Sequence, residues 1–243
     1  MKLLTFSKRT AKEILRDPLN IFFGLFFPII LLFLLSAIQA NIPVSLFEIS
    51  NLTPGITVFG LSFMTLFSAT LIAKDRESAL LQRLYSTPLT ASDFIFGYAL
   101  PILPIAAVQS CICYIIALFL GLTPSVTIIY ALLFIIPISM FFISLGLLCG
   151  SIFNSKQVGG ICGGLLSNLT AWLSGVWFDL NLMGKTFSKI ANLLPFVHAV
   201  ELEKAILNGS TEGIFPHLYW VIGYTAVTIA VSVLVFLRQM KKH

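Results

Sequence analysis

The sequence predicts an all-α, polytopic membrane protein, and three observations carry that expectation. Apolar residues make up 58% of the 243-residue chain and charged residues only 10%, the composition of a chain whose solvent is mostly lipid. The charges are segregated: between Arg16 and Lys74 only Asp17 and Glu48 are charged, and between Arg83 and Lys156 only Asp93. The uncharged stretches are also long. Crossing a hydrocarbon core about 30 Å thick takes roughly 20 residues at about 1.5 Å each. Six stretches meet that requirement, at about 20–40, 55–73, 97–120, 126–149, 158–178 and 217–237. Residues 1–243 therefore read as a single transmembrane domain.

Residues 1–19 form an element of their own. At about 100° per residue, Lys2, Lys8, Arg9, Lys12 and Arg16 fall on one arc and Leu3, Leu4, Phe6, Ala11, Ile14 and Leu15 on the other. Such a helix lies in the interface with its cations toward headgroups and water. It serves as an anchor and topology signal or, alternatively, as a docking surface for a cytoplasmic partner. Arg16-Asp17-Pro18 ends it, because proline lacks the amide hydrogen and restricts the residue before it. The apolar run Leu19–Ala40 exceeds the roughly 7–15 residues of a signal-peptide core, so it reads as an uncleaved first span.

A charged amphipathic break from Lys74 to Ile95 separates spans 2 and 3. Leu80, Leu81, Leu84 and Tyr85 recur at helical spacing, charges occupy the first turns and Pro88 closes the segment. The pattern predicts a short amphipathic helix at 74–87 lying across the cytoplasmic face of the membrane. A spanning protein needs only a few polar residues to reverse direction, so a whole helix here points to a contact surface; the plainer alternative is a helix that only caps two spans.

In the fifth span Gly159, Gly160, Gly163 and Gly164 make two overlapping G-x-x-x-G pairs. Small residues let helix backbones approach closely, so this face reads as a packing or subunit contact. The segment 179–216 is too long for a turn and too charged for an ordinary span. Asn181 to Leu194 before Pro195, then Phe196 to Leu207 closing at Asn208-Gly209, predicts an extracellular re-entrant helical hairpin. His198 and Glu201 share a helical face there, but two ligands make a weak metal site, and the expectation is a solvated polar pair and no metal. Cys111, Cys113, Cys149 and Cys162 all lie in apolar stretches without zinc-type spacing, which reads as buried small hydrophobes.

Topology follows from the cations. With the N-terminus cytoplasmic, inside segments hold Lys2, Lys8, Arg9, Lys12, Arg16, Lys74, Arg76, Arg83, Lys156, Arg238, Lys241 and Lys242, which is 12 of the 15 lysines and arginines. Lys185, Lys189 and Lys204 fall in the long outer loop, where length weakens the rule. Both termini are therefore expected in the cytoplasm of a multi-pass cell (inner) membrane protein. The net charge of +5 follows from this bias toward the anionic inner leaflet and gives no warrant for nucleic-acid binding.

A nucleotide-binding P-loop needs G-x-x-x-x-G-K-[ST], whose backbone amides and lysine cradle phosphates. Gly184-Lys185-Thr186 has the ending, but Asp179 stands at the first glycine position and the segment is in the outer loop. Any ATP that drives this protein is thus expected in another polypeptide, and the chain is read as neither an enzyme nor a holder of a cofactor.

The break after span 2 resembles a signature of the permease subunits of ABC type-2 transporters. The R-E-x-G-x-L-x-R-L-x-x-T-P-L-like run of that family is matched by Arg76, Glu77, Leu81, Arg83, Leu84, Thr87, Pro88 and Leu89. A second block, Ser174-Gly175-Val176-Trp177-Phe178, is followed by Leu194-Pro195-Phe196, Ala199-Val200-Glu201 and Asn208-Gly209, so the resemblance runs over nearly the whole length. The chain departs from the pattern at Ala79, where the family often has glycine. It also departs at Gly97-Tyr98, for a Gly-Lys pair, at Asp179, for proline, and near Lys204, for arginine.

The resemblance implies two permeases, as a homo- or heterodimer, working with two cytoplasmic ABC ATPase subunits that bind ATP and Mg, and mostly outward transport. It implies that Leu80, Leu81, Leu84 and Tyr85 seat in a groove of the ATPase, with Arg76, Glu77 and Arg83 orienting the contact. An aromatic, largely apolar path suits amphipathic cargo such as drugs, antimicrobial peptides or lipid-linked molecules, with Phe22, Phe26, Phe63, Phe67 and Trp172 as candidates beside a plain packing or lipid-facing role. Two rival classes compete with this reading. One is a non-transporting scaffold or immunity protein that only binds an ATPase. The other is an intramembrane enzyme using Glu201 or Glu203 with His198 as base, which would need polar groups converging from several helices.

Overall fold

In the computed structural model, which describes residues 2–42, 45–78 and 90–240, the described residues are helical without strands. Helix α1 is Lys2–Leu15, α2 the apolar Phe22–Asn41, α3 Ile49–Glu77, α4 Ala91–Phe119 and α5 Thr127–Ile152. Helix α6 is a composite of Ser155–Val158, a π-helical stretch Gly159–Leu166 and Ser167–Leu173. Then come α7, Lys185–Leu193, α8, Pro195–Leu207, and α9, Thr211–Met240.

Five helices among the described residues, namely α2, α3, the Ile95–Phe119 part of α4, α5 and α9, are long and apolar enough to cross a membrane. The chain is a multi-pass membrane protein. The expected fifth span at 158–178 is represented by α6, which is shorter than expected. Its helix ends at Leu173, and Gly175 takes a φ of +75°, open to glycine but strained for other residues. The four glycines, flanked by Ile161 and Cys162, leave little side-chain packing to hold the regular ladder, and the segment winds as the rarer π form.

Helix α3 is the axis of the molecule: 89% of its most apolar window is buried, against 28% for α2 and 17% for α9. It begins earlier than the expected 55, at Ile49, carrying Pro54 inside it, and runs on through Lys74–Glu77. Its closest neighbour is α5. Thr65 Oγ1 donates to the Phe142 carbonyl at 2.9 Å and Ser68 Oγ to the Ile143 carbonyl at 3.1 Å, crossings possible only where two backbones nearly touch. Gly146 and Gly150 on α5 provide that approach. A methyl at Gly150 would sit 2.9 Å from Ala69 Cα and one at Gly146 3.0 Å from the Thr65 carbonyl carbon.

Helix α1 docks on α4 through Phe6 and Ile14, and Phe6 meets Tyr98 edge-on at 5.0 Å. Lys8 and Lys12 on its other face are exposed, and the helix ends just before Asp17-Pro18. Beyond α6 the chain turns twice. Pro195 starts α8, and Gly209 at φ +70° reverses the chain into α9. Helix α8 is not a surface loop, since Val197, Val200, Leu202, Glu203 and Ile206 are buried against α3, α5 and α9.

Candidate functional site

Four consecutive charges end α3. Successive residues on a helix point about 100° apart, so Lys74, Asp75, Arg76 and Glu77 radiate around the axis, and each reaches a different element. Lys74 Nζ lies 3.4 Å from Asp17 Oδ2, in the link between α1 and α2. Asp75, buried at 1% exposure, accepts from Arg9 Nη1 at 2.8 Å and Nη2 at 2.5 Å, and from the Tyr98 hydroxyl at 2.7 Å. Arg76 donates to the carbonyls of Ser151 and Phe153, the latter at 2.6 Å, where α5 ends. Glu77 accepts from the Ser155 amide at 2.9 Å and its hydroxyl at 2.7 Å, where α6 begins.

Each contact has an electrostatic reason. A helix C-terminus exposes unpaired carbonyls with partial negative charge, which a guanidinium satisfies, and a helix N-terminus exposes amides, which a carboxylate caps. The Arg9–Asp75 pair is bidentate and charge-assisted, and hydrogen bonding to Asp75 pushes the Arg9 guanidinium further above its ordinary value. Glu13 adds a second carboxylate 2.9 Å from Arg9. Gly97 makes room for the α1 contact, since Phe6 occupies the space a side chain there would need. Tyr98, one of the departures noted in the sequence, supplies the third donor to Asp75.

Arg76 and Glu77 thus bind within the chain, at the root of the segment in which the contact surface was expected. Leu80, Leu81, Arg83, Leu84 and Tyr85 lie outside the described residues. The five aromatic path candidates are not brought to one surface. Phe63 and Phe67 are core residues, stacked with Phe23 at 5.7 Å and packed over Gly24 respectively, whereas Phe22, Phe26 and Trp172 are exposed. A side chain added at Gly163 would meet Leu66 at 3.3 Å, whereas one at Gly159, Gly160 or Gly164 would meet no neighbouring residue within 4 Å, so the face of those three is open.

The opposite end of the molecule holds a second polar group. His198 was expected as a solvated residue, but it is buried: it stacks on Trp220 at 4.8 Å, and its Nδ1 lies 2.9 Å from His217 Nδ1. Its Nε2 is 2.9 Å from the Asn192 carbonyl. A carbonyl only accepts, so Nε2 carries the hydrogen of the neutral ring and His217 donates to Nδ1. Burial pulls the His198 value down, in keeping with the neutral form. Glu201 pairs with Lys204 at 2.9 Å beside a polar cavity of about 500 Å³ that Asp179 and His217 also line. The three proposed enzymatic groups therefore go to separate partners.

Glu203, which no sequence argument singled out as buried, is fully enclosed on α8, with one oxygen accepting from the Tyr114 hydroxyl at 2.7 Å and the other unpartnered. Burial pushes its carboxyl up to about 8 from an ordinary 4.5. The folded form therefore holds this proton more tightly than the unfolded chain. That contribution to stability is whole below about pH 4.5 and is lost as pH rises through about 8. Glu203→Gln, which keeps an acceptor for Tyr114 and has no charge to bury, is expected to flatten the decline in melting temperature between pH 5 and about 8. A decline as steep as that of the parent protein would contradict the assignment. Among the described residues, no three histidine, cysteine or acidic side chains converge as a metal site.

Comparison with known proteins adds to this geometry. The family model described as ABC-2 type transporter matches residues 1–207. The chain is 24% identical over 205 residues to the probable multidrug ABC transporter permease YbhR of Escherichia coli K12, covering 82% of this chain and 54% of that protein. The same values hold for the counterpart in Escherichia coli O157:H7. The chain spans about half the length of the curated relatives it matches.

Proposed function

We propose that this chain, which belongs to the ABC-2 type transporter family, is the membrane-spanning permease of an ATP-driven transporter whose ATP and Mg are bound by separate cytoplasmic ABC ATPase subunits. The observation that carries the reading is the four-way junction at Lys74–Glu77. The segment that follows it is the one whose pattern fits a docking helix. A push on that segment is delivered to the end of α3 and, through four sets of polar contacts, to α1, the α1–α2 link, α4, α5 and α6 together. Rigid helices joined at one end turn such a displacement into a tilt.

In this reading α6 is the fifth of six spans, both chain ends are cytoplasmic in the cell inner membrane, and α1 lies in the cytoplasmic interface. The α7–α8 pair is then the extracellular re-entrant hairpin. The direction is export, and the cargo is amphipathic. A relative named as a probable multidrug permease supports that class, as does the scarcity of charge in the spans. The open glycine face of α6 is available to a second permease, identical or not.

Leu84→Asp tests the reading, since a charge at the centre of an apolar contact loses its hydration without a partner to replace it. A co-purifying ATPase is expected to be lost, or its hydrolysis uncoupled, with membrane insertion unchanged. Transport that continues at the parent rate would count against docking at 74–87. A chain that binds an ATPase but moves nothing would favour the scaffold.

A further inference from the structure

We infer that the cleft between α1, α2 and α4 is a binding site for one anionic phospholipid, drawn from the leaflet in which α1 lies. The cleft measures about 400 Å³ and is apolar. Ile14 and Leu15 of α1 close one end, Leu25 of α2 and Phe67 of α3 form a side and the floor, and Pro101 to Val108 of α4 form the opposite wall. From Pro101 to Val108 the wall rises about 10 Å along the helix, running from the level of α1 toward the middle of the bilayer. Leu15 and Val108, at its two ends, are 64% and 50% exposed, so the cleft opens to the lipid side. A narrow apolar channel that starts at an interfacial helix and runs inward has the shape and depth of an acyl chain.

The headgroup end is set by charge. Among the described residues, the side chains of Lys8, Lys12 and Arg16 have no hydrogen-bond or ion-pair partner, whereas Arg9 is consumed by Asp75 and Glu13. They follow one another at intervals of four residues, Lys8 and Lys12 on α1 and Arg16 just past its end, and Lys12 and Arg16 directly follow the cleft-lining Ala11 and Leu15. A phosphate held at this row leaves its chain directly over the cleft. A neutral headgroup would gain the cleft but not the row.

The test is native mass spectrometry of the full-length chain, delipidated in mild detergent and titrated with dioleoyl phosphatidylglycerol or dioleoyl phosphatidylcholine. One phosphatidylglycerol per chain is expected, with phosphatidylcholine, which gains nothing from the three cations, on the order of 100-fold weaker. Each cation near an anionic headgroup is worth about 1 kcal/mol, close to fivefold. Lys12→Gln with Arg16→Gln should therefore weaken phosphatidylglycerol on the order of 20-fold and leave phosphatidylcholine unchanged. Val108→Trp, a filling change at a half-exposed position, should weaken both lipids; Leu15→Trp repeats the test from the other end if that variant folds poorly. Equal binding of the two lipids, or phosphatidylglycerol binding unaffected by both filling variants, overturns the site. So does a charge variant that loses an ATPase partner but keeps the lipid, which would make the row a protein contact. A cleft occupied after purification by a compound other than phospholipid, and freed by Val108→Trp, would reassign it to cargo.

Discussion

Gly150→Leu is expected to abolish the folded chain, while Gly160→Leu, only ten residues away, leaves the monomer's stability unchanged. The contrast rests on what each position faces. At Gly150 even the first added carbon would lie 2.9 Å from Ala69 Cα and 3.0 Å from Ile72 Cβ, and backbone cannot rotate aside as a side chain does. The helices must separate, which breaks the Thr65 and Ser68 hydrogen bonds to α5 and opens the α3 surface that the rest of the bundle packs on. Overpacking alone costs about 1–3 kcal/mol, and loss of the crossing hydrogen bonds adds about 1 kcal/mol each, enough to remove most of a marginal stability. A carbon added at Gly160 would meet no neighbouring residue within 4 Å. Thermal melting and gel filtration of both variants in detergent decide the matter. Equal melting temperatures would mean that α3 and α5 do not touch at Gly150. If Gly160→Leu melts normally but no longer pairs with a second permease, the glycine face is a subunit contact.

Asp75→Ala carries the second largest effect: α1 is expected to come free of the bundle. The carboxylate is the common acceptor for Arg9 and Tyr98. Removing it leaves a phenol that is fully buried and a guanidinium that is 40% exposed and so able to recover part of its hydration. Breaking a wholly buried pair costs about 3–5 kcal/mol; with one partner at the surface, about 2–3 kcal/mol is the appropriate figure. Trypsin should then cut at Lys8 and Lys12 under conditions where the parent protein resists. Tyr98→Phe, which removes one hydrogen bond and keeps the ring on Phe6, should cost about 1 kcal/mol. A double-mutant cycle of Arg9→Gln with Asp75→Asn isolates the pair itself. Unchanged proteolysis in Asp75→Ala would show that Phe6 and Ile14 hold α1 without the ion pair. In the transporter reading, an ATPase partner assembled with the same variant should still hydrolyse ATP while transport falls.

Much of this was readable in advance, and the misses share a cause. The long apolar runs announced the helices because lipid imposes a length on whatever crosses it. Asp17-Pro18, Pro195 and Gly209 marked turns through their own backbone chemistry. The role of Asp75 was not visible, although a carboxylate between Lys74 and Arg76 at the end of an apolar helix was available as a signal. Its partners come from residues 66 and 23 positions away, and nothing local specifies them. The Gly-x-x-x-Gly spacing that packs helices within the chain is Gly146–Gly150, whereas in the more conspicuous glycine cluster of α6 only Gly163 faces a neighbour and Gly159, Gly160 and Gly164 face outward. Glycine spacing says that a helix can be approached closely; it does not say by what.

Glu203 makes the same point from the opposite side. It shares α8 with His198, Glu201 and Lys204 as well as with Phe196, Val197, Val200, Leu202 and Ile206, and which of these polar positions faces water and which faces Tyr114 depends on how α8 lies against the spans. Helix periodicity, chain reversals and the charge bias of the loops are legible in the residues alone, because each is a property of a residue or of its near neighbours. Packing sets which charges are buried and paired, which glycines are approached by a neighbour, and which of the two ends each titratable group occupies. Those outcomes depend on distances between residues far apart in the chain, and such distances exist only once the helices have packed.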